Sequence, residues 1–138
     1  MTYGSETWTL TKPLERKLRS AQRGMERLML GVTIMDKKNC KWIREQTKVD
    51  DIIKTVKTLK WQWAGHICRR DDERWTKRVT DWEITNIKRP KGRPYTRWCD
   101  EIKKFVGQVH RNWKSEALDR GKWKCLGEAY VLQWNDTG

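Results

Sequence analysis

No apolar run in this 138-residue chain approaches the roughly 20 residues a helix needs to span a bilayer, so no membrane partner is expected. The opening stretch MTYGSETWTLTKPLERK has no signal-peptide apolar region. Cysteine is scarce and scattered. Cys40, Cys68, Cys99 and Cys125 stand at wide, irregular gaps with no C-x-x-C, which predicts free thiols in a reducing, nuclear or cytoplasmic compartment rather than a secreted scaffold. The sequence also lacks a Gly-rich phosphate loop, a paired-His motif and a nucleophile elbow. Asp71, Asp72 and Glu73 are sequence neighbours, which point in different directions on a helix. An isolated nuclease or polymerase is therefore not expected, nor a cofactor, nor a small-molecule substrate.

What the chain does have is tryptophan and positive charge. Ten of its residues are Trp, against one Phe and three Tyr, and the formal net charge is +13. Charged residues make up 36%, against roughly 25% in ordinary domains, so any core is thin and rests partly on large indoles. A pI near 9.9 points to RNA or DNA, or another anionic surface, as partner. The indoles have two uses open to them. They can stack on nucleic-acid bases, or they can fill the core of a small helical protein.

Periodicity predicts an all-α chain: a small helical bundle, a basic linker, and a second short helical block. Thr11, with Pro13 just inside, opens a helix that ends before Gly31. Leu14, Leu18, Ala21, Met25, Leu28 and Met29 form its apolar stripe and are expected in the core. Asn39 caps a short helix over 41–46. Asp50 caps a long one to about Arg70, with Ile52, Val56, Leu59, Trp63 and Ile67 on one face. Another helix is read from Glu73 to Trp82, carrying Trp75 and Val79. Residues 84–95 hold two of the three prolines and read as an extended linker. Thr96 is a candidate cap for a helix with Trp98, Ile102, Phe105 and Val106, and Asn112 and Asp119 for the last two, ending near Trp134. Residues 1–10 look β-prone through Tyr3, Thr7, Trp8 and Thr9. There is no internal repeat. Trp42, Trp61 and Trp82 are spaced as in a Myb-type repeat, but the caps and apolar positions between them do not fit one.

Four patches are candidates for function. Arg16, Arg19, Arg23 and Arg27 lie opposite the apolar stripe of the first helix and span about 16 Å, enough to follow several phosphates. The competing reading is a merely solvated face. On the Asp50 helix, Trp63 is expected in the core. Trp61 falls about 180° away beside Lys54 and Lys57, and is expected to be exposed, docking on another domain or stacking on a base. In Gly65-His66-Ile67-Cys68-Arg69-Arg70, His66 and Cys68 do not share a helical face, and Cys99, His110 and Cys125 complete no recognisable zinc spacing, so no metal is expected. Arg69 and Arg70 suit a helix C-terminus. The linker carries Lys88, Arg89, Lys91 and Arg93, followed by Arg97, with no acid from Asn86 to Arg97. It suits phosphate contact, nuclear localisation or plain linkage.

Four segments in order carry a resemblance: Tyr3-Gly4-Ser5-Glu6-Thr7-Trp8, Leu59-Lys60-Trp61-Gln62-Trp63-Ala64-Gly65-His66, Lys91-Gly92-Arg93-Pro94-Tyr95-Thr96-Arg97-Trp98, and Trp123 through Trp134. Together they resemble the C-terminal end of the endonuclease-reverse transcriptase of non-LTR retrotransposons, most like the RTE/BovB group of LINE elements. The resemblance covers nearly the whole chain. It implies that residues 1–10 end a palm strand, 11–70 form a thumb-like helical bundle, 71–95 a helix plus basic linker, and 96–138 a post-thumb helical block. The palm's paired catalytic aspartates, the N-terminal endonuclease and the Cys/His knuckle of some related elements have no counterpart here. The resemblance thus implies a non-catalytic fragment that grips template RNA or target DNA by sequence-independent phosphate contacts. Its initial Met suggests a truncated element. The alternatives are a structural fragment docking on a missing polymerase palm, or a transposon remnant without function.

Overall fold

A computed structural model describes residues 2–70, 75–81, 92, 95–107 and 112–133. Among them are seven α-helices and no strand: α1 (Lys12–Met29), α2 (Cys40–Thr47), α3 (Ile52–Arg69), α4 (Trp75–Asp81), α5 (Asp100–Gly107), α6 (Trp113–Leu118) and α7 (Arg120–Leu132). The all-α expectation holds. Residues Ser5–Thr7 form a 3₁₀ turn, so the strand expected over 1–10 is not there.

The side-chain caps follow local chemistry. The oxygens of Asn39, Asn112 and Asp119 each accept a backbone N–H from the first turn of α2, α6 and α7. They satisfy donors that have no partner inside the helix. For α3 the cap is Asp51, one residue beyond the expected Asp50, and it accepts from the N–H groups of Ile53 and Lys54. Its carboxylate also receives Arg44 at 2.8 Å and Arg19 at 3.8 Å. Gln22 of α1 completes this end. Its amide nitrogen donates to the Asp50 carbonyl at 2.7 Å, and its amide oxygen accepts the Ile52 N–H at 2.8 Å.

Helix α3 is the axis of the fold. It buries nine of its 18 residues, spread around most of its circumference, because the Ser5–Thr7 turn, α1, α6 and α7 all pack on it. One cluster joins Leu10 to Ile52, Ile53 and Val56, with Leu14 and Leu18 of α1 against it. The larger cluster joins Trp61 and Ala64 of α3 to Ile102 and Val106 of α5, Trp113 and Ala117 of α6, and Trp123 and Tyr130 of α7. Helices from both sides of the expected linker thus share one core.

Helix α1 does not pack as its apolar stripe predicts. Its buried residues are Glu15, Gln22 and Glu26, about a quarter turn from the stripe at 3.6 residues per turn. Leu14 and Leu18 still reach the core, but Met25, Leu28 and Met29 are exposed. The cause lies in α3, which offers polar partners at this contact: the Asp50 carbonyl for Gln22, and the Lys57 ammonium for Glu15 at 3.1 Å.

Candidate nucleic-acid interface

The structure sorts the expected contact residues into three groups. Of the arginine stripe, Arg16 alone is exposed, while Arg19, Arg23 and Arg27 are half-buried. The stripe is therefore not the open cationic face expected, because α1 is turned so that its polar flank packs on α2 and α3. Lys57 and Trp61 are corrections. Both are buried, at 0% and 3% exposure, since the side of α3 opposite Trp63 is the side that α5, α6 and α7 cover. Neither can touch a polyanion. Lys54 is exposed, Arg69 and Arg70 are half-buried, and Arg97 is exposed. Lys88, Arg89, Lys91 and Arg93 lie outside the described residues, as do His110 and the ends Glu73 and Trp82 of the expected fourth helix.

The indoles divide differently from expectation. Trp61, Trp113 and Trp123 are buried, while Trp42 and Trp75 are exposed. Trp63, expected in the core, is half-buried and stacks beside His66 with ring centroids 5.9 Å apart. His66 is exposed.

Trp61 and Trp123 form a reciprocal clamp between α3 and α7. Their rings stack at 4.0 Å and 14°. The Trp61 indole N–H donates to the Trp123 carbonyl at 2.9 Å, and the Trp123 indole N–H donates to the Trp61 carbonyl at 3.0 Å. Each ring lies over a glycine of the other helix. A Cβ on Gly127 would come within 2.6 Å of the Trp61 Nε1, and one on Gly65 would overlap Nε1 and Cδ1 of Trp123. The sequence carries the signal as one spacing used twice, Trp61-x-x-x-Gly65 and Trp123-x-x-x-Gly127, which puts Trp and Gly on one helical face.

This clamp floors a groove of about 740 Å³. Lys54, His66 and Arg69 of α3 line one side, and Arg120 and Lys124 of α7 the other, with Val131 and Leu132 at one end. Among the described residues Glu128 is the single acid in the lining. Lys54, Arg120 and Lys124 are exposed, and Arg69 spends one N–H on the Ala117 carbonyl at 2.7 Å. Arg120 and Lys124 were not among the residues expected from the sequence. Their i, i+4 spacing after the Asp119 cap places them on one face, but only the packing of α7 on α3 brings that face to the groove that Lys54 and Arg69 also line.

The buried charges behave differently. Lys57 donates to Glu101 Oε1 at 2.5 Å and to Glu15 at 3.1 Å, and Lys60 reaches Glu101 Oε2 at 3.3 Å. Two ammoniums and two carboxylates thus balance between α1, α3 and α5. Burial pushes the Lys60 ammonium below its ordinary value, with Glu101 opposing that shift. Burial alone would raise the Glu101 carboxyl, but its hydrogen bonds and charge contacts with Lys57 and Lys60 hold it below its usual range. Burial, reinforced by the charges of Glu101 and Glu15, pushes the Tyr130 phenol up.

Cys40, Cys68, Cys99 and Cys125 are free thiols. Among the described residues no group of three or more His, Cys, Asp or Glu is placed to hold a metal, and no helix is long and apolar enough to cross a membrane.

The chain is similar to a Caenorhabditis elegans protein described as uncharacterized and transposon-derived, at 37% identity over 136 aligned residues covering 91% of this chain. The chain spans about half the length of that relative, 49%. No family model matches, and no solved structure matches.

Proposed function

We propose that this chain is the nucleic-acid-gripping, non-catalytic C-terminal part of a transposon-encoded reverse transcriptase of the LINE type. The observation that carries the binding reading is that Lys54, Arg69, Arg120 and Lys124 line one groove, with a single acid among its described residues. Four cations from two helices, on a rigid floor, hold phosphates without reading bases. The similarity to a transposon-derived protein and the sequence resemblance support the origin. In this reading Arg16, Arg70 and Arg97 add further positive charge, and the sequence supplies Lys88, Arg89, Lys91 and Arg93 besides. Trp61 serves it only by building the floor, and Lys57 is held in the core by Glu101 and Glu15.

The test is affinity for RNA, an RNA–DNA hybrid and duplex DNA over a range of salt. The triple variant Lys54→Gln, Arg120→Gln, Lys124→Gln is expected to bind more weakly and to flatten the plot of log affinity against log salt. Each lost phosphate contact takes about 0.7–0.9 off the slope, roughly 2–3 in all. An unchanged slope would sink the groove as the phosphate site.

A second reading, a surface that docks on another polypeptide, is favoured by a separate observation. Leu28, Met29, Ile34 and Met35 are 66–88% exposed at the end of α1 and the turn after it, an apolar patch of the kind that marks protein contacts. The pair Leu28→Gln and Met35→Gln is expected to reduce hydrophobic-dye binding while changing stability by less than about 0.5 kcal/mol, because neither side chain is buried. Nucleic-acid affinity should not move. A large loss of stability would show instead that the patch is covered within this chain.

A further inference from the structure

A second groove, about 470 Å³, lies between α3, α4 and the residues that lead into α5. Its walls include Trp63, Trp75 and Trp98, together with Val79, Arg97 and Lys103. Three indoles on one groove is a large aromatic investment for a chain whose core is thin. Two of them are held in place. The Trp98 indole N–H donates to the Glu6 carbonyl at 2.7 Å, with the Lys60 ammonium 5.5 Å from its ring centroid. Trp63 is braced by His66. Trp75 is different. It stands 70% exposed, with Val79 one turn on at 60%, and its contact with Arg78 is a cation over the ring at 5.6 Å. Burial does not explain it.

The charge of the groove selects its occupant. Arg97 and Lys103 are exposed on its rim, and the described residues that line it include no acid. Aromatic faces next to cations match a ligand that alternates flat rings with phosphates. A duplex presents phosphates but keeps its bases stacked on each other. A single strand presents both. We propose that this groove takes an unpaired nucleobase of single-stranded RNA or DNA, with Trp75 as the stacking platform and Arg97 and Lys103 toward the flanking phosphates. The inference rests on the nucleic-acid reading above and adds to it a second site that distinguishes single strands from duplex.

The experiment measures binding of the full chain to a short single-stranded RNA, the matching DNA, the same strands with abasic positions, and a blunt duplex. Base stacking is lost by a factor of about 5 to 100 when its aromatic partner becomes alanine. Trp75→Ala is therefore expected to weaken both single strands on that scale. Duplex affinity and the salt slope should stay unchanged. Trp75→Tyr should keep most of the affinity. The abasic strands should already bind weakly to the unaltered chain and be insensitive to Trp75→Ala. Circular dichroism checks that the variant folds, and the exposure of Trp75 predicts that it does. If Trp75→Ala weakens single strand and duplex equally, or weakens neither, the proposal is overturned. The phosphate groove on α3 and α7 then still stands, provided its own cation variants lose affinity. An unchanged single-strand affinity would mark the aromatic groove as a protein-docking surface. If the chain binds no nucleic acid at all, both readings fall together.

Discussion

Gly65→Ala is expected to lower the stability of the chain by about 3 kcal/mol, although alanine is the better helix former by about 1 kcal/mol. The added Cβ would overlap the Trp123 indole, and that ring has little freedom to move. It is stacked on Trp61, and its N–H is committed to the Trp61 carbonyl. Relief requires α3 and α7 to separate. Overpacking of this kind costs about 1–3 kcal/mol, and each buried indole N–H left without its acceptor adds about 1–3 kcal/mol. Gly127→Ala should act in the same direction through Trp61. The control is Gly24→Ala in α1, where a Cβ meets nothing within 4 Å and the helix-propensity gain should appear alone, about 1 kcal/mol of added stability. Thermal melts by circular dichroism read both signs. If Gly65→Ala and Gly24→Ala shifted the melting temperature alike, the clamp would not hold α3 to α7. The same substitution should also weaken nucleic-acid binding through the groove, since it displaces Arg120 and Lys124 relative to Lys54.

Glu101→Gln is expected to cost about 3–5 kcal/mol, the usual scale for breaking a buried ion pair by removing one partner. Lys57 and Lys60 are 0% and 1% exposed. Without the Glu101 charge, Lys57 loses one carboxylate partner and keeps Glu15 at 3.1 Å. The pH dependence has a definite sign. The Glu101 carboxyl is held below its ordinary value of 4.5 in the folded chain. The unfolded chain therefore binds more protons as pH falls. The stabilisation is present above the unfolded value and is lost as pH drops through the folded one. Lys60 is also lowered, from 10.5, so the folded chain releases its proton first on the alkaline side. Between the folded and unfolded values stability rises with pH, opposite to a lysine whose pKa is raised by its partner. Melts across pH should show an acid limb that Glu101→Gln flattens. An acid limb identical in the variant would remove Glu101 as its source. Replacing Lys57 and Glu101 together by Met and Leu should cost much less than Glu101→Gln alone, because paired removal leaves fewer stranded charges. Lys60 then retains its own desolvation cost.

The limits of sequence reading can be traced to particular residues. The caps Asn39, Asn112 and Asp119 were legible because a cap is a contact between a side chain and the backbone two or three residues on. The missed cap, Asp51 for Asp50, is a displacement of one residue between two adjacent acids. The extent of α3 was legible from its apolar repeat, but its outward face was not. Trp61 and Trp63 are two residues apart, so one helical wheel sends them to opposite sides. With helices or turns on several sides of α3, both directions become partly interior. The apolar stripe of α1 misled for the converse reason. Its second half buries Gln22 and Glu26 and turns Met25, Leu28 and Met29 outward, because Glu15 and Gln22 found partners on α3 and at its cap.

What the sequence determined by itself is local. It set the helical class, the caps Asn39, Asn112 and Asp119, the strong positive charge and the four free thiols. These depend on backbone periodicity, on side chains reaching a few residues, or on composition, and none needs to know which helix lies beside which. Only the tertiary structure decided that Trp61 is the floor of a groove rather than its exposed finger, that Lys57 is spent on Glu101 and Glu15, and that Arg120 and Lys124 line the same groove as Lys54 and Arg69. Those facts depend on pairs more than 40 residues apart in the chain, such as Trp61 with Trp123, 62 residues away. A helical wheel gives the angle between side chains of one helix, but not the direction from which the next helix arrives. Burial of two indoles over two glycines settled that direction here, and with it which cations remained available to a ligand.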